Sequence, residues 1–338
     1  MTTLYVSTDG AVVRLTDERL MVTKDRAVLM EMPLHKLDSV VVFQNVTVTP
    51  AALQAMAARR IDLCFTNYAG RFFGRLQPPD SAHVRLRRAQ YRALDDQPLR
   101  LKIARGIVFG KLANQRTILL RARRADNVSP ERIARLTEAI VQLRQASRGA
   151  RFANSLEVLR GYEGEGASAY FRVFDELLLN SAFTFTGRKR QPAPDPVNAM
   201  LGFGYAMLAK DAISAAAIVG LDPYAGFLHG ERYNQPSLGL DLMEEFRPLI
   251  VDATVLALIN RRQISPDGFT EQLGGAILMN ETTRKTFLQG YEERKRTEVR
   301  HPQLNSNTMY SRMIELQARI IAKVLLGELD NYVPFIPK

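Results

Sequence analysis

The feature that most constrains the fold is a change of hydrophobic period at the segment Pro78-Pro79-Asp80-Ser81. Before this segment, short apolar stretches separated by turn residues have the spacing of β-hairpins. After it, apolar residues recur with the period of α-helices. The 338 residues are enough for two domains of ordinary size. We therefore expect an α+β protein, with a small N-terminal β-sandwich-like domain at residues 1–78 followed by a larger all-α domain at residues 82–338.

The predicted elements follow this division. In the first domain we expect strands at residues 4–6, 11–15, 19–23, 27–32, 37–43, 46–49, 61–67 and 71–76. One helix is expected among them, at residues 50–60, because Thr49 can cap it and Pro50 suits its first position. In the second domain we expect helices at residues 82–94, 98–124, 130–148, 152–179, 197–219, 237–260, 268–295 and 306–327.

Positive charge is concentrated at the start of the helical region. The formal net charge of the chain is +11, and residues 85–124 contain twelve basic and two acidic residues, a net charge of +10. Such an excess favours an anionic partner, either nucleic acid or an acidic membrane surface. Arg85, Arg88 and Arg92 share one helical face, which is either a solvated surface or a surface that follows DNA phosphates. The concentration of charge favours DNA binding.

Several classes of protein are disfavoured by the sequence. The single cysteine, Cys64, lies in an apolar run and cannot form an internal disulfide, so secretion is not indicated. The N-terminus does not resemble a signal peptide, and no uninterrupted apolar run is long enough for a transmembrane helix. We therefore expect a cytoplasmic protein without a membrane partner.

Three segments carry residues capable of chemistry. The first, residues 160–167, places Glu163 and Glu165 among three glycines within a helical pattern. Each glycine weakens a helix by about 1 kcal/mol relative to alanine. Such a sequence suits either close helix packing or the close approach of a ligand, and the sequence alone leaves both explanations open.

The other two segments lie further along the chain. His229 follows a Gly/Pro-rich stretch, where a histidine is usually a surface or capping residue. Asp241 and Glu244 share a face of the next helix, where acidic residues also suit the helix dipole. Taken together, a histidine and several carboxylates can form a metal site of mixed nitrogen and oxygen ligands, which suits Mg²⁺ or Mn²⁺.

The order of these motifs resembles the CRISPR-associated protein one family, the integrase of CRISPR adaptation. The matching stretches are residues 160–164, 192–201, 220–229 and 237–248, together with Gln90-Tyr91. The resemblance covers nearly the whole chain and implies a β domain followed by a helical domain. It also implies that Glu163, His229 and Glu244 are the metal ligands, with Asp241 as a further acidic residue near the metal. Glu165 and Glu245 are the neighbouring alternatives.

The function implied by this resemblance is a metal-dependent DNA integrase and endonuclease of CRISPR spacer acquisition in antiviral defence. Such an enzyme joins the 3′-hydroxyl ends of a DNA fragment into the repeat array by transesterification, with Mg²⁺ or Mn²⁺ as cofactor. The resemblance implies binding of duplex, branched or splayed DNA, a homodimer, and a dimer of CRISPR-associated protein two as a spacing partner. The N-terminal domain is the expected dimerisation region. The alternatives are a non-catalytic DNA-binding or architectural protein and a metal-dependent RNA nuclease.

Overall fold

The computed structural model describes residues 2–76, 83–125, 129–189, 192–301 and 307–337. The chain divides into two compact units, Met1–Ser81 and Ala82–Lys338. This division falls at the end of the segment in which the hydrophobic period changes.

The first unit contains two four-stranded sheets, with strand orders β1-β5-β7-β8 and β4-β3-β2-β6. Parallel pairs join β1, β5 and β7, whereas β2, β3 and β4 form an antiparallel meander. Its elements are β1 (Thr3–Val6), β2 (Val12–Thr16), β3 (Arg19–Lys24), β4 (Ala27–Pro33), β5 (Ser39–Phe43), β6 (Thr47–Val48), α1 (Pro50–Ala58), β7 (Asp62–Thr66) and β8 (Phe72–Leu76).

The predicted strands and helix of this unit are confirmed within a few residues. Every residue of β5 is buried, as expected for the β-branched run of a central parallel strand. Val13 and Leu20 from one sheet and Val40 and Leu63 from the other belong to the same hydrophobic core. The Thr49 side chain accepts a hydrogen bond from the Ala52 amide at the start of α1, which is the predicted cap.

The second unit is mainly helical, so the α+β fold class is confirmed. Within it, α3, α4 and α5 pack against one another, and α6 packs against α7 and α10. Its helices are α2 (Val84–Asp95), α3 (Gln97–Arg123), α4 (Pro130–Phe152), α5 (Leu156–Arg172), α6 (Pro196–Val219), α7 (Ser237–Met243), α8 (Ala253–Asn260), α9 (Glu281–Arg296) and α10 (Tyr310–Leu325).

Two of the predicted helices are shorter than expected. The helix predicted at residues 152–179 begins only after its cap Ser155 and ends at Arg172, before a short 3₁₀ turn. The helix predicted at residues 237–260 is interrupted after α7 by a π-helical segment, Arg247–Asp252, which precedes α8. Pro248 lies in this segment and has no amide hydrogen, so it cannot continue a regular helical ladder.

The helix predicted at residues 268–295 is wrong in its first half. Phe269–Glu271 (β9) and Ile277–Met279 (β10) form an antiparallel hairpin before α9 begins. Gly274 and Gly275, in its turn, have φ angles of 98° and 78°, a conformation that glycine adopts without strain. A second small pair, Glu298–Arg300 (β11) and Asn307–Met309 (β12), precedes α10, so the helix predicted from residue 306 begins at Tyr310.

Among the described residues, α6 alone is long and apolar enough to cross a membrane by length and composition. Of the most apolar window of α6, 61% is buried inside the protein. This burial is typical of a core helix, because its side chains already pack against α7 and α10.

Candidate active site

The loop that carries His229 is held in place by side chains from three helices. This His229 loop, residues 220–230, is the first part of the segment that connects α6 to α7. Gln90 of α2 donates to two of its carbonyl oxygens at 2.9 and 2.8 Å and accepts from one of its amides at 2.8 Å. Arg100 of α3 and Arg160 of α5 donate to further carbonyls at 3.1 and 2.6 Å. The backbone of the loop is therefore fixed by groups outside it.

Asp241 completes the support of His229. One oxygen of this fully buried carboxylate accepts from the amides of Phe227 and Leu228 at 2.6 and 2.9 Å. The other lies 3.0 Å from the amide nitrogen of His229 and 2.7 Å from its Nδ1. Since both oxygens are occupied, Asp241 orients the imidazole and leaves Nε2 as the nitrogen that faces the site.

Lys111 joins the two candidate glutamates. Its ammonium group contacts Oε1 of Glu163 on α5 and lies 2.6 Å from Oε2 of Glu244, the residue that caps α7. The Lys111 and Glu244 side chains are buried, with 6% and 4% exposure, whereas that of Glu163 is 27% exposed. The three side chains form a partly open cluster with a single ammonium between two acids.

Glu244 has further charged neighbours. Arg247 lies 2.7 Å from its Oε1, and Nε2 of His229 lies 4.0 Å from the same oxygen. Burial alone would raise the pKa of Glu244, but the charges of Arg247, Lys111 and His229 lower it to about 2. Glu244 is therefore ionised at neutral pH even though it is buried.

The pKa of His229 is shifted upward, opposite to that of Glu244, by the charged groups around it. Burial alone would lower the pKa of His229, but its hydrogen bond with Asp241 and the charges of Asp241 and Glu244 raise it above the ordinary value. A divalent cation beside Nε2 would reverse this preference, since only a neutral imidazole can be a metal ligand.

The donor set fits a divalent cation, although a lysine now neutralises it. No group of three His, Cys, Asp or Glu residues in the described ranges is arranged to hold a metal ion as it stands. Lys111 supplies the positive charge that Glu163 and Glu244 require. Oε2 of Glu244 is buried and, in the described part of the chain, accepts no hydrogen bond of good geometry, despite its short distance to the ammonium. Two carboxylates and one imidazole suit Mg²⁺ or Mn²⁺ once the ammonium withdraws.

The structure brings Glu163, His229 and Glu244 into one cluster and leaves the two neighbouring acids outside it. Glu165 is exposed on α5. Glu245 is fully buried, and it accepts hydrogen bonds from the Phe335 amide and the Gln317 side chain at 2.7 and 3.1 Å.

Glu245 also accepts a hydrogen bond from the hydroxyl of Tyr332. Burial raises the pKa of Glu245 to about 8, although these donors oppose the rise. It therefore anchors the C-terminal residues by hydrogen bonds from neutral donors, and in the described ranges no cation pairs with it.

The glycines of the first motif have two different environments. A Cβ atom on Gly166 would lie 2.3 Å from a methyl group of Leu112, so close packing of α3 and α5 requires this glycine. A Cβ atom on Gly161 or Gly164 would meet nothing within 4 Å. Gly161 and Gly164 are three residues apart and share one bare strip of α5. Gly161 lies on nearly the opposite side of the helix from Glu163, whereas Gly164 is the next residue to it, so only the backbone at Gly164 is open to a ligand beside Glu163.

The predicted DNA-binding arginines lie on α2 and outside this cluster. Arg85, Arg88 and Arg92 are exposed, whereas Leu86 and Gln90 of the same helix are buried. Because Gln90 holds the His229 loop, α2 connects this basic face to the candidate site. Phosphate binding by the three arginines stays a prediction.

Sequence reasoning missed Lys111 and Arg247 as parts of the site. One signal was available, because Lys111 falls among the buried positions of α3 with Ile107, Val108 and Leu112. A lysine is rarely buried unless it is paired with an acid. The pattern therefore indicated a partner, although its identity required the fold.

The comparisons with known proteins agree with the order of the motifs. The family model described as CRISPR associated protein Cas1 matches residues 4–293. The CRISPR-associated endonuclease Cas1 2 of Rhodospirillum rubrum is 42% identical over 345 residues, covering 100% of this chain and 99% of that protein. The chain therefore belongs to the Cas1 family.

Solved structures show that the fold is shared more widely. A casposase bound to its integration product matches with a TM-score of 0.82 at 21% identity, covering 98% of this chain and 93% of that chain. A Cas6-RT-Cas1–Cas2 complex matches with a TM-score of 0.83 at 22% identity, covering all of this chain and 36% of that chain.

Proposed function

We propose that this protein is the metal-dependent DNA integrase and endonuclease of CRISPR spacer acquisition. The observation that carries the proposal is the cluster of Glu163, His229 and Glu244 around the ammonium of Lys111. Membership of a family whose curated relatives are named endonucleases supports it, as does the resemblance to a casposase bound to its integration product.

Glu163, His229 and Glu244 would hold one Mg²⁺ or Mn²⁺ ion. The chemistry that such an ion supplies is polarisation of a phosphoryl oxygen and a lower pKa for the attacking hydroxyl. Asp241 keeps Nε2 of His229 directed at the site through the bond to Nδ1. Arg247 and the displaced ammonium of Lys111 supply positive charge beside the scissile phosphate.

The reaction is a direct transesterification. The 3′-oxygen of the DNA fragment forms a bond to a phosphorus atom at the edge of the repeat and loses its proton. The bond from this phosphorus to the 3′-oxygen of the repeat strand breaks, and that oxygen takes up a proton. With water as the nucleophile, the same site cleaves DNA. The bare backbone at Gly164, next to Glu163, would allow the DNA backbone to approach Glu163 closely.

The proposed assembly contains homodimers formed through the first unit and a dimer of Cas2 that sets the spacing between active sites. The resemblance to a Cas6-RT-Cas1–Cas2 complex supports a Cas2 partner. We propose that the assembly acts on duplex, branched or splayed DNA in the cytoplasm, with Arg85, Arg88 and Arg92 contacting phosphates.

The experiment that tests this function is integration of a labelled DNA duplex into a plasmid that carries a repeat, with Cas2 and Mg²⁺ or Mn²⁺ present. We expect joined products with the intact protein and none with Glu244→Gln or in EDTA. DNA binding without cleavage or joining at any metal concentration would instead identify an architectural protein. Cleavage that strictly requires 2′-hydroxyl groups would identify an RNA nuclease.

A further inference from the structure

A second positively charged site lies between α3 and α4. It is a groove with a cavity of about 150 Å³, which we call the α3–α4 arginine groove. No acidic residue contributes to its walls. Its lining residues are Phe109, Ala113 and Arg116 of α3 with Arg144, Ser147, Arg148 and Arg151 of α4.

In the ranges that the structure describes, no acidic side chain pairs with the charges in this groove. Nε of Arg116 is buried without a hydrogen-bond partner among the described residues. The guanidinium group of Arg151 lies 4.2 Å from the centre of the Phe109 ring, a cation–π contact that holds it across the groove without neutralising it. Arg144 and Arg148 are exposed at its rim. Four guanidinium groups gathered in this way repel one another until an anion enters.

The groove is separate from the candidate active site. Phe109, Ala113 and Arg116 are spaced i, i+4 and i+7 along α3 and therefore share one face. Lys111 is two residues after Phe109, which corresponds to about 200° around the helix axis. The same helix therefore presents Lys111 of the candidate active site on one side and the arginine groove on nearly the opposite side.

An exposed aromatic ring extends the groove. Phe152 is 83% exposed and follows Arg148 by four residues, so the two residues share a face of α4. Proteins that bind single-stranded nucleic acid combine a basic groove for phosphates with aromatic rings on which bases stack. The planar guanidinium groups suit the two-pronged recognition of phosphate oxygens.

We propose that the α3–α4 arginine groove binds a single-stranded segment of DNA, with phosphates at the arginines and a base on Phe152. The choice of DNA as the anion rests on the proposed function, whereas the site itself rests on the groove. An acidic protein segment is less well matched, because it would leave the Phe152 ring exposed.

The test is fluorescence anisotropy of a labelled single-stranded oligonucleotide bound to the full-length protein over a range of salt concentrations. The variant is Arg144→Gln/Arg148→Gln/Arg151→Gln. Losing three phosphate contacts should make the slope of log affinity against log salt shallower by about 2. We expect affinity at low salt to fall at least 10-fold. The matched control, Arg172→Gln/Arg261→Gln/Arg296→Gln, removes the same charge from exposed positions elsewhere and should leave the slope nearly unchanged.

A second variant tests the stacking contact. Phe152→Ala should weaken binding of the oligonucleotide several-fold while leaving binding of an abasic strand of the same length unchanged. Equal slopes for the groove variant and its control would overturn the proposal. A second result would also overturn it: poly-glutamate binds through the groove arginines but does not compete with DNA. That result would identify an acidic protein partner.

Failure of this proposal can be distinguished from failure of the proposed function. Metal-dependent cleavage by the wild-type protein tests the active site, whereas the salt slope tests the groove with EDTA present. If the wild-type protein cleaves DNA but both arginine variants have the same salt slope, the proposed function stands and only the groove proposal fails. Thermal unfolding of each variant must match the wild type for these comparisons to hold.

Discussion

Two adjacent residues, Glu244 and Glu245, occupy opposite environments at the end of α7. Both are buried, with 3% and 0% exposure. Glu244 is surrounded by Lys111, Arg247 and His229, which hold its pKa at about 2 against the effect of burial. Burial raises the pKa of Glu245 to about 8. Its hydrogen-bond donors are the Tyr332 hydroxyl, the Phe335 amide and the Gln317 side chain.

The comparison shows that the neighbours of a buried acid, more than its depth, determine what it can do. An acid held among cations keeps its charge, which exchange of an ammonium group for a metal ion would require. An acid held by neutral donors serves as a structural anchor, as Glu245 does for the C-terminal residues near Phe335. Charge partners therefore distinguish the two glutamates where sequence position does not.

The largest expected effect separates these two glutamates directly. Glu244→Gln should lower metal-dependent DNA cleavage by at least roughly 1,000-fold, because loss of a ligand exceeds the 10–100-fold typical of an outer partner. Glu245→Gln should retain cleavage, since the amide oxygen can still accept from Phe335 and Gln317 while the amide nitrogen donates to the hydroxyl oxygen of Tyr332. Initial rates of cleavage of a labelled duplex measure both. Equal losses in two folded variants would contradict the comparison.

The next effect concerns the lysine that neutralises the site. Lys111→Met leaves Glu163 and Glu244 without their shared cation, and breaking such a buried pair costs about 3 kcal/mol of unfolding free energy. Because a metal ion can replace the lost charge, Mn²⁺ should raise the Tm of this variant more than that of the wild type. Differential scanning calorimetry with and without Mn²⁺ provides the measurement.

The matched control is Lys295, a second buried lysine that lies 2.8 Å from both Asp211 and Glu292. Lys295→Met should destabilise the protein similarly but show the same Mn²⁺ shift as the wild type. If both lysine variants gained equally from Mn²⁺, the effect would not belong to the site.

A pH-dependent effect sharpens the distinction between the two kinds of buried acid. Asp252 accepts hydrogen bonds from Tyr205 and Tyr170 at 2.6 and 3.0 Å, and burial raises its pKa to about 6. Because its folded pKa lies above the unfolded value of 3.8, its contribution to stability is present below that value and is lost as pH rises to about 6.

This shift of about two pH units corresponds to at most roughly 3 kcal/mol. Asp252→Asn cannot ionise, so the stability of the wild type relative to this variant should decrease between about pH 4 and pH 6. Urea unfolding at several pH values measures the difference. A difference that increased over this range would show that the carboxylate is preferred in the fold.

The smallest effect tests the bare surface beside Glu163. Gly164→Ala should stabilise α5 by up to about 1 kcal/mol, since the new methyl group meets no neighbour. If DNA approaches there, the same methyl group should reduce cleavage several-fold despite the higher Tm. Glu165→Ala, at the next exposed position, is the control for activity. A more stable variant with full activity would indicate that this surface does not meet DNA.

The sequence predicted the first unit and most helices well because their hydrophobic periods are strong. It failed at residues 268–280, where Gly274 and Gly275 permit a hairpin turn within a pattern that resembles a helix. The order of motifs indicated Glu163, His229 and Glu244, but no spacing in the sequence could bring Lys111 between two of them. Residue pairs such as Lys111 and Glu244 are separated by more than a hundred positions and meet only through tertiary packing.

The most direct test of the central claim is calorimetric titration of Mn²⁺ into the metal-free protein. We expect one site in the wild type and at least 10-fold weaker binding in each of Glu163→Gln, His229→Ala and Glu244→Gln, with Glu245→Gln binding as the wild type does. Unchanged Mn²⁺ affinity in all three variants would contradict the account, because it would place the metal elsewhere in the protein.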